Sequence, residues 1–157
     1  MAELEPKRVE DSITKMVQIV FPNDCNGQNR LFGGRLMEWM DVLAAVVARR
    51  HSNSEITTAS VDTLQFKGPA HVNDTIVLRG KITFVGRTSM EVRVDVYTEE
   101  LSGKRSKINT AYFTEVALDD NERPRPVPGL ICETEEEKRE FEAGAKRREA
   151  KLNSLKK

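Results

Sequence analysis

The chain has no charge to spare: 25 Lys and Arg stand against 25 Asp and Glu in 157 residues. It lacks the basic surplus with which proteins neutralise duplex phosphate or an anionic lipid surface, so neither nucleic acid nor membrane is an expected partner. A local basic patch for one small phosphate-bearing ligand stays open. Long apolar runs are missing too. The longest, Val42 to Ala48, falls far short of the ~20 residues that span a bilayer. The opening Met1-Ala-Glu-Leu-Glu-Pro-Lys-Arg8 has no apolar secretory core, and a cytoplasmic protein is expected. There are two cysteines, Cys25 and Cys132. They lack metal-ligand spacing, and reduced thiols are expected. Two histidines, His51 and His71, are too few for a histidine-based metal site without carboxylate help. No metal site is expected, and there is no internal repeat or low-complexity tract.

What is present is unevenly placed. Charged residues make up 32% of the chain, above the ~25% of an average domain. The excess sits at the end: from Glu133 to Lys157, 15 of 25 residues are charged, 8 basic and 7 acidic. Ahead of it, Pro124-Arg-Pro-Val-Pro-Gly129 can continue neither a helix nor a central strand. Thr134 with Glu137 forms a capping box. The pattern predicts a solvated helix over about 134–154, acidic first and basic last, anchored only by Phe141, Leu152 and Leu155 and weakened by Gly144. Its bland reading is a frayed appendage. Residues 1–132 then form the folded domain and 133–157 a helical tail.

Within 1–132 the pattern alternates with period two over Thr75–Phe84, Met90–Tyr97 and about 108–118. Residues 12–20 and the β-branched stretch 56–66 read as further strands. The turns Lys67-Gly-Pro69, Val85-Gly-Arg87 and Leu101-Ser-Gly-Lys104 are short, so strands joined by them are largely antiparallel neighbours. One long helix precedes most of them. From Gly34 to about His51 there is no Pro and no interior Gly, and good helix formers dominate. The fold class is therefore α+β.

That helix carries an anomaly. On a helical wheel Leu36, Trp39, Met40, Leu43, Val46 and Val47 lie opposite Asp41, while Gly34, Ala44, Ala45 and Ala48 lie near it, with Met37 and Glu38. The bulky face suits a core. The small face lets a partner subunit or a ligand approach closely. A carboxylate there is costly when dry, and burial would raise its pKa, which makes Asp41 a candidate base or nucleophile. The competing reading is a structural Asp bonded to backbone or Arg. Glu38, at the edge of that face, is expected to reach solvent or an Arg. The helix opens on Phe32-Gly33-Gly34, whose free N–H groups could hold a phosphate or polarise a carbonyl.

The run Pro22-Asn-Asp-Cys-Asn26-Gly-Gln-Asn-Arg-Leu-Phe32-Gly-Gly-Arg-Leu-Met37-Glu-Trp-Met-Asp41 resembles the acyl-CoA thioesterases of the hotdog fold. It is most similar to the acyl-CoA hydrolase family that includes the brain-type cytosolic enzyme and its short bacterial relatives. Ala48-Arg-Arg-His51, Thr58-Ala-Ser-Val-Asp62, Phe66-Lys-Gly-Pro69, Asn73-Asp74, Val85-Gly-Arg-Thr-Ser-Met-Glu-Val92, Val116-Ala-Leu118 and Arg125-Pro-Val-Pro128 extend the likeness over about residues 10–130. The resemblance implies a long helix wrapped by an antiparallel sheet of five to six strands. It implies hotdog dimers assembled into a hexamer, a trimer of dimers, with the active site between units. It implies that Asp41 is catalytic and that Asn26 of another subunit orients water or carbonyl. Asp24 competes with Asn26 for that place. By the same resemblance, the N–H groups of Gly33 and Gly34 polarise the thioester. Gly86, Arg87, Thr88 and Ser89 bind coenzyme A, with Arg87 as the phosphate partner. No cofactor is implied beyond coenzyme A as product, and acyl-CoA is the substrate.

Two alternatives stand beside it. A hotdog dehydratase or hydratase would rest on a catalytic His, but neither His51 nor His71 falls beside Asp41 on the wheel, and both are expected to be structural or at the surface. His51 would gain from the dipole as an imidazolium. A non-catalytic acyl-CoA-binding or assembly module is the other, since fold does not fix function. Cys25, next to Asn26, has no His or Lys at catalytic spacing and is assigned to packing. The aromatics are accounted for by core or interface packing, with lining of the acyl tunnel as a second reading for Phe32.

Overall fold

The structure is a computed structural model that describes residues 4–156. Residues 1–3 and 157 lie outside the described part. The ordered elements begin with β1 (Lys7–Arg8) and β2 (Thr14–Ile19), followed by the long helix α1 (Gly33–Ser52). Then come β3 (Glu55–Phe66), β4 (Thr75–Val85), β5 (Ser89–Glu99) and β6 (Arg105–Leu118). A short β7 (Leu130–Ile131) leads to helix α2 (Glu135–Leu155).

Strands β2 to β6 form one antiparallel sheet in the order β2-β4-β5-β6-β3. Its inner face carries Ile76, Leu78 and Ile82 of β4, Met90, Val92, Val94 and Val96 of β5, and Ala111, Phe113 and Ala117 of β6, all buried. Strict alternation puts these side chains on one face, and they close over Leu36, Met40, Leu43 and Val47 of α1. Helix and sheet meet most closely at Gly80, where a Cβ would lie 3.0 Å from Val47 and 3.3 Å from Leu43. The helix ends at Asn53, in the left-handed conformation with φ 52°, a common way to stop a helix. Lys7 then donates to the Arg50 carbonyl and the Asn53 side chain.

The wheel is corrected in one respect. Ala44 and Ala48, assigned to the small face near Asp41, are fully buried. The sheet curls far enough round α1 to cover them. Asp41 and Val42 are left at its open edge, exposed.

The tail departs further from its expectation. The capping box at Thr134 and Glu137 forms, but α2 is not a frayed appendage. It lies across the outer face of the sheet, so the sheet is covered on both sides. Phe141 stacks on Phe84 with ring centroids 4.8 Å apart. Gly144, expected only to weaken the helix, is its contact point: a Cβ there would lie 2.6 Å from Phe84 and 2.9 Å from Glu91. Arg147 donates to both Glu91 oxygens (3.0 and 2.7 Å) and packs 3.9 Å over the Tyr112 ring. Lys81 bonds Glu140 at 2.7 Å, and Lys151 donates to Ser60 and Thr114 (both 2.8 Å) and pairs with Asp62. The apolar anchors are few because the sheet's outer face is itself polar and α2 meets it charge to charge. No basic residue occupies the last turn; the basic side chains are used earlier, on the sheet.

Candidate active site

Asp41 and its surroundings depend on an irregularity in β3. The pairing of β3 with β6 shifts between Thr58 and Ser60, so Ala59 is an extra residue in the strand. Such a bulge re-aims side chains and recurs beside active sites. Here Thr58 faces α1, while Ser60, two residues on, bonds Lys151 of α2 on the other face. The Thr58 hydroxyl lies 2.9 Å from Asp41 Oδ1 and 2.9 and 3.1 Å from the two oxygens of Glu115. Glu115, on β6 opposite Thr58, is fully buried. Its carboxyl is pushed up to about 7, by burial first and by the neighbouring Asp41 charge, against the opposing pull of the Thr58 hydrogen bond. Asp41 itself is exposed in the single chain, which corrects the expectation of a carboxylate already starved of water. The buried acid is the one behind it. Sequence reasoning missed Glu115, although one signal was available: a Glu at an inward position of an otherwise apolar alternating strand.

The loop before α1 is built on Asx chemistry. The Asn26 side-chain oxygen accepts from the N–H groups of Gln28 (2.9 Å) and Arg30 (3.3 Å), and its backbone N–H donates to the Arg30 carbonyl at 2.8 Å. The side chain lies at the surface, on two grooves, one shared with Gly33 and Phe66 and one with Phe32 and Gly34. Asp24 has a different task. It is buried, accepts from the Phe21 N–H at 2.9 Å and is met by Arg35 Nε at 3.2 Å, so it ties the loop to the helix. Asp24, so held, is less open to solvent than Asn26. Glu38 is exposed and pairs with Arg35 at 3.2 Å.

Helix α1 starts at Gly33, and among the described residues neither Gly33 nor Gly34 donates its N–H to an acceptor. The Phe66 ring lies over Gly33, and a Cβ on Gly34 would come within 2.6 Å of Phe32. Both rings are about half exposed, at 55% for Phe32 and 54% for Phe66, and they flank the positive end of the helix dipole. From Gly33 to Asp41 the helix rises by roughly 12 Å. Among the described residues no hydrogen bond joins Asn26 to Asp41, and the grooves that Asn26 lines do not include Asp41.

The turn between β4 and β5 is closed by the Gly86 N–H donating to the Ser89 carbonyl at 2.8 Å. The Arg87 side chain is exposed and has no ion-pair partner among the described residues. Ser89 is buried and its hydroxyl accepts from Arg148 of α2 at 2.7 Å. Thr88, Ser89, Arg148 and Lys151 line a groove of about 430 Å³ between α2 and the sheet.

Both histidines lie away from this constellation. His51 is buried, with Nε2 2.8 Å from the Pro128 carbonyl, and burial pushes its pKa down. A carbonyl can only accept, so Nε2 donates to it, and burial outweighs the dipole effect that would have favoured an imidazolium. His71 is exposed beside Asp74. Cys25 is half-buried against the core, and burial raises the Cys132 thiol. Among the described residues no cluster of His, Cys, Asp or Glu could hold a metal ion, and no helix is long and apolar enough to cross a membrane.

The profile of the thioesterase superfamily matches residues 28–103. Over 119 residues the chain is 46% identical to an acyl-CoA thioester hydrolase of Bacillus subtilis, covering 75% of this chain and 69% of that protein. The chain belongs to the acyl-CoA thioester hydrolases of the hotdog fold. It is also 38% identical to the human cytosolic acyl coenzyme A thioester hydrolase over 89% of its length, spanning 38% of that longer protein. Among solved structures, an apo-hexameric acyl-CoA thioesterase superposes with a TM-score of 0.92 at 38% identity, covering 97% of this chain and 98% of that one. A Staphylococcus aureus acyl-CoA hydrolase, solved with butyryl coenzyme A, coenzyme A and coenzyme A disulfide, superposes at 0.88 with 32% identity, covering 96% and 94%. The S. aureus hydrolase has also been solved with an Asn, an Asp and a Thr each replaced singly by alanine. Those three are spaced along its chain as Asn26, Asp41 and Thr58 are in this hydrolase.

Proposed function

We propose that this hydrolase cleaves acyl-CoA to free acid and coenzyme A at a site shared between copies of the chain, with Asp41 as general base or nucleophile. The observation that carries this reading is the placement of Asp41: an exposed carboxylate on the open face of α1, held at 2.9 Å by the Thr58 hydroxyl. The shared spacing of Asn26, Asp41 and Thr58 with the three substituted residues of the S. aureus enzyme supports it.

In this reading Asn26 of a neighbouring copy orients the water or the carbonyl. The unbonded N–H groups of Gly33 and Gly34, at the positive end of α1, meet the oxyanion as it develops. Asp41 either takes a proton from water or attacks the carbonyl to give an anhydride. Coenzyme A leaves as a thiolate, so no strong general acid is required. Gly86, Arg87, Thr88 and Ser89 form the coenzyme A subsite. Arg87 supplies the phosphate contact, and Ser89, tied to Arg148, steadies the turn. The reading calls for no metal or other cofactor. Residues 1–132 carry the chemistry, and helix α2 of the 133–157 tail braces the sheet. The half-exposed Phe32, Phe66 and Val42 on the Asp41 side of the molecule suit burial against another copy. The hexamers among the structural relatives favour a homo-hexamer, and the cytosolic relative a cytoplasmic location.

The test is thiol release from acyl-CoAs of graded length, acetyl to palmitoyl, by the wild type and Asp41→Asn. The reading expects release by the wild type and a loss of roughly 100-fold or more in the variant. Undiminished release by Asp41→Asn would sink it. Heavy oxygen from labelled water appearing in Asp41 under single turnover marks nucleophilic attack; label confined to the free acid marks general-base catalysis.

A further inference from the structure

One hydroxyl faces three carboxylate oxygens. Thr58 Oγ1 lies 2.9 Å from Asp41 Oδ1, 3.1 Å from Glu115 Oε1 and 2.9 Å from Glu115 Oε2. A threonine hydroxyl carries a single proton and can donate once; its other bonds must be accepted. An ionised carboxylate only accepts. If both acids were ionised, one of them would face an oxygen lone pair with no hydrogen between. The count closes only when one carboxyl brings its own proton. Asp41 is exposed and open to water. Glu115 is sealed between the sheet and α1 at 0% exposure, beside Phe113 and Ala117 on its own strand, where a charge is expensive.

We propose that Glu115 is a positioning residue held as a neutral acid, which donates its O–H to Thr58 and so commits the one Thr58 proton to Asp41. The proposal rests on Asp41 being the catalytic carboxylate. The chain Glu115 O–H to Thr58, Thr58 O–H to Asp41 fixes the side-chain torsion of Asp41 and leaves its second oxygen for water or substrate. It also spares Asp41 a second negative charge behind it. Sequence order hides this arrangement: Thr58 reaches the two acids from a different strand, at the bulge.

The arrangement is sensitive to pH in one direction. When Glu115 loses its proton, Thr58 turns to it, and Asp41 loses its donor and gains a like-charged neighbour. The charged group facing Glu115 is Asp41 of α1. Its cross-strand partners, Met90 on β5 and Thr58 on β3, are uncharged. The charged residues Glu91, Arg147 and Lys151 meet one another or the strands at the outer face.

Two measurements test it. Infrared difference spectra of the wild-type protein between pH 5 and 9 are expected to contain the carbonyl band of a neutral carboxylic acid that titrates at or above neutrality. Glu115→Gln should lack that band. With only carboxylate bands above pH 6, Glu115 is ionised and the proposal fails, whatever the activity. In kcat/KM profiles the wild type should fall about tenfold per pH unit above the same inflection. Glu115→Gln, whose amide can donate to Thr58 but not ionise, should keep most of the activity at pH 6 and lose that limb. The same limb in Glu115→Gln overturns the proposal. The wild-type spectrum decides even where the variant does not fold. A neutral acid in a protein that hydrolyses no acyl-CoA would retire the catalytic reading and leave the network standing.

Discussion

In the proposed mechanism the work of Asp41 depends on what lies behind the carboxylate as well as on the carboxylate itself. Thr58→Val removes its donor without adding charge or much volume, and kcat for thiol release should fall by about tenfold with KM little changed. Two buried titratable groups give opposite pH slopes in stability. The Glu115 carboxyl is raised from 4.5 to about 7, so the folded state holds a proton that the unfolded chain has lost in that window. Stability should decline as pH rises from about 4.5 to 7, by up to about 3 kcal/mol, and Glu115→Gln should flatten that slope. His51 is lowered from 6.5, so the unfolded chain takes up a proton that the folded chain refuses. Stability should fall as pH drops below about 6.5, and His51→Gln should weaken that loss. Urea unfolding at stepped pH checks both signs. Asp41, Asn26 and the Gly33-Gly34 pair could be picked out in the sequence because they lie in one continuous run. Thr58 and Glu115 could not be given roles, because a bulge on one strand and a register between two strands bring them together.

The elements were legible to the extent that periodicity reports burial. The long α1 and the alternating strands β4, β5 and β6 follow from it, since each has one face on a common core. The outer face of the sheet was not legible. Its polar alternation reads as solvent, yet it is the seat of α2. The tail, rich in charge and poor in apolar anchors, likewise reads as solvated. What joins them is pairing across the surface. Glu91, nearly buried, accepts from Thr83 and twice from Arg147. Arg147→Met leaves that carboxylate without its cation and should cost about 1–3 kcal/mol, with faster hydrogen exchange along α2. On the other side of the sheet, Gly80→Val drives a side chain into Val47 and Leu43 and should destabilise by about 1–3 kcal/mol, read as a lower thermal midpoint. In Arg147→Met kcat per folded molecule should be retained, because α2 touches the sheet on the face away from Asp41, while KM for acyl-CoA should rise as the looser α2 weakens the Arg148 bond to Ser89.

The whole molecule explains why the balance of 25 basic and 25 acidic residues tells so little about its ligand. Of the tail's charges, Glu140, Arg147, Arg148 and Lys151 are engaged on the sheet, and Arg87 is an exposed cation on a turn. The account's central claim is that each working site combines Asp41 of one copy with Asn26 of another. It rests on the family resemblance and fits this chain, in which Asn26 belongs to the loop before α1, Asp41 lies two turns into the helix and no described hydrogen bond joins them. Subunit complementation tests this most directly. Asp41→Asn and Asn26→Ala homo-oligomers should each be nearly inactive. Dissociated and reassembled together, they should regain thiol release to roughly a quarter of the wild-type value, since mixed pairs hold one intact site of two. Mixed assemblies, verified by mass, that stay as inactive as either parent would contradict the account.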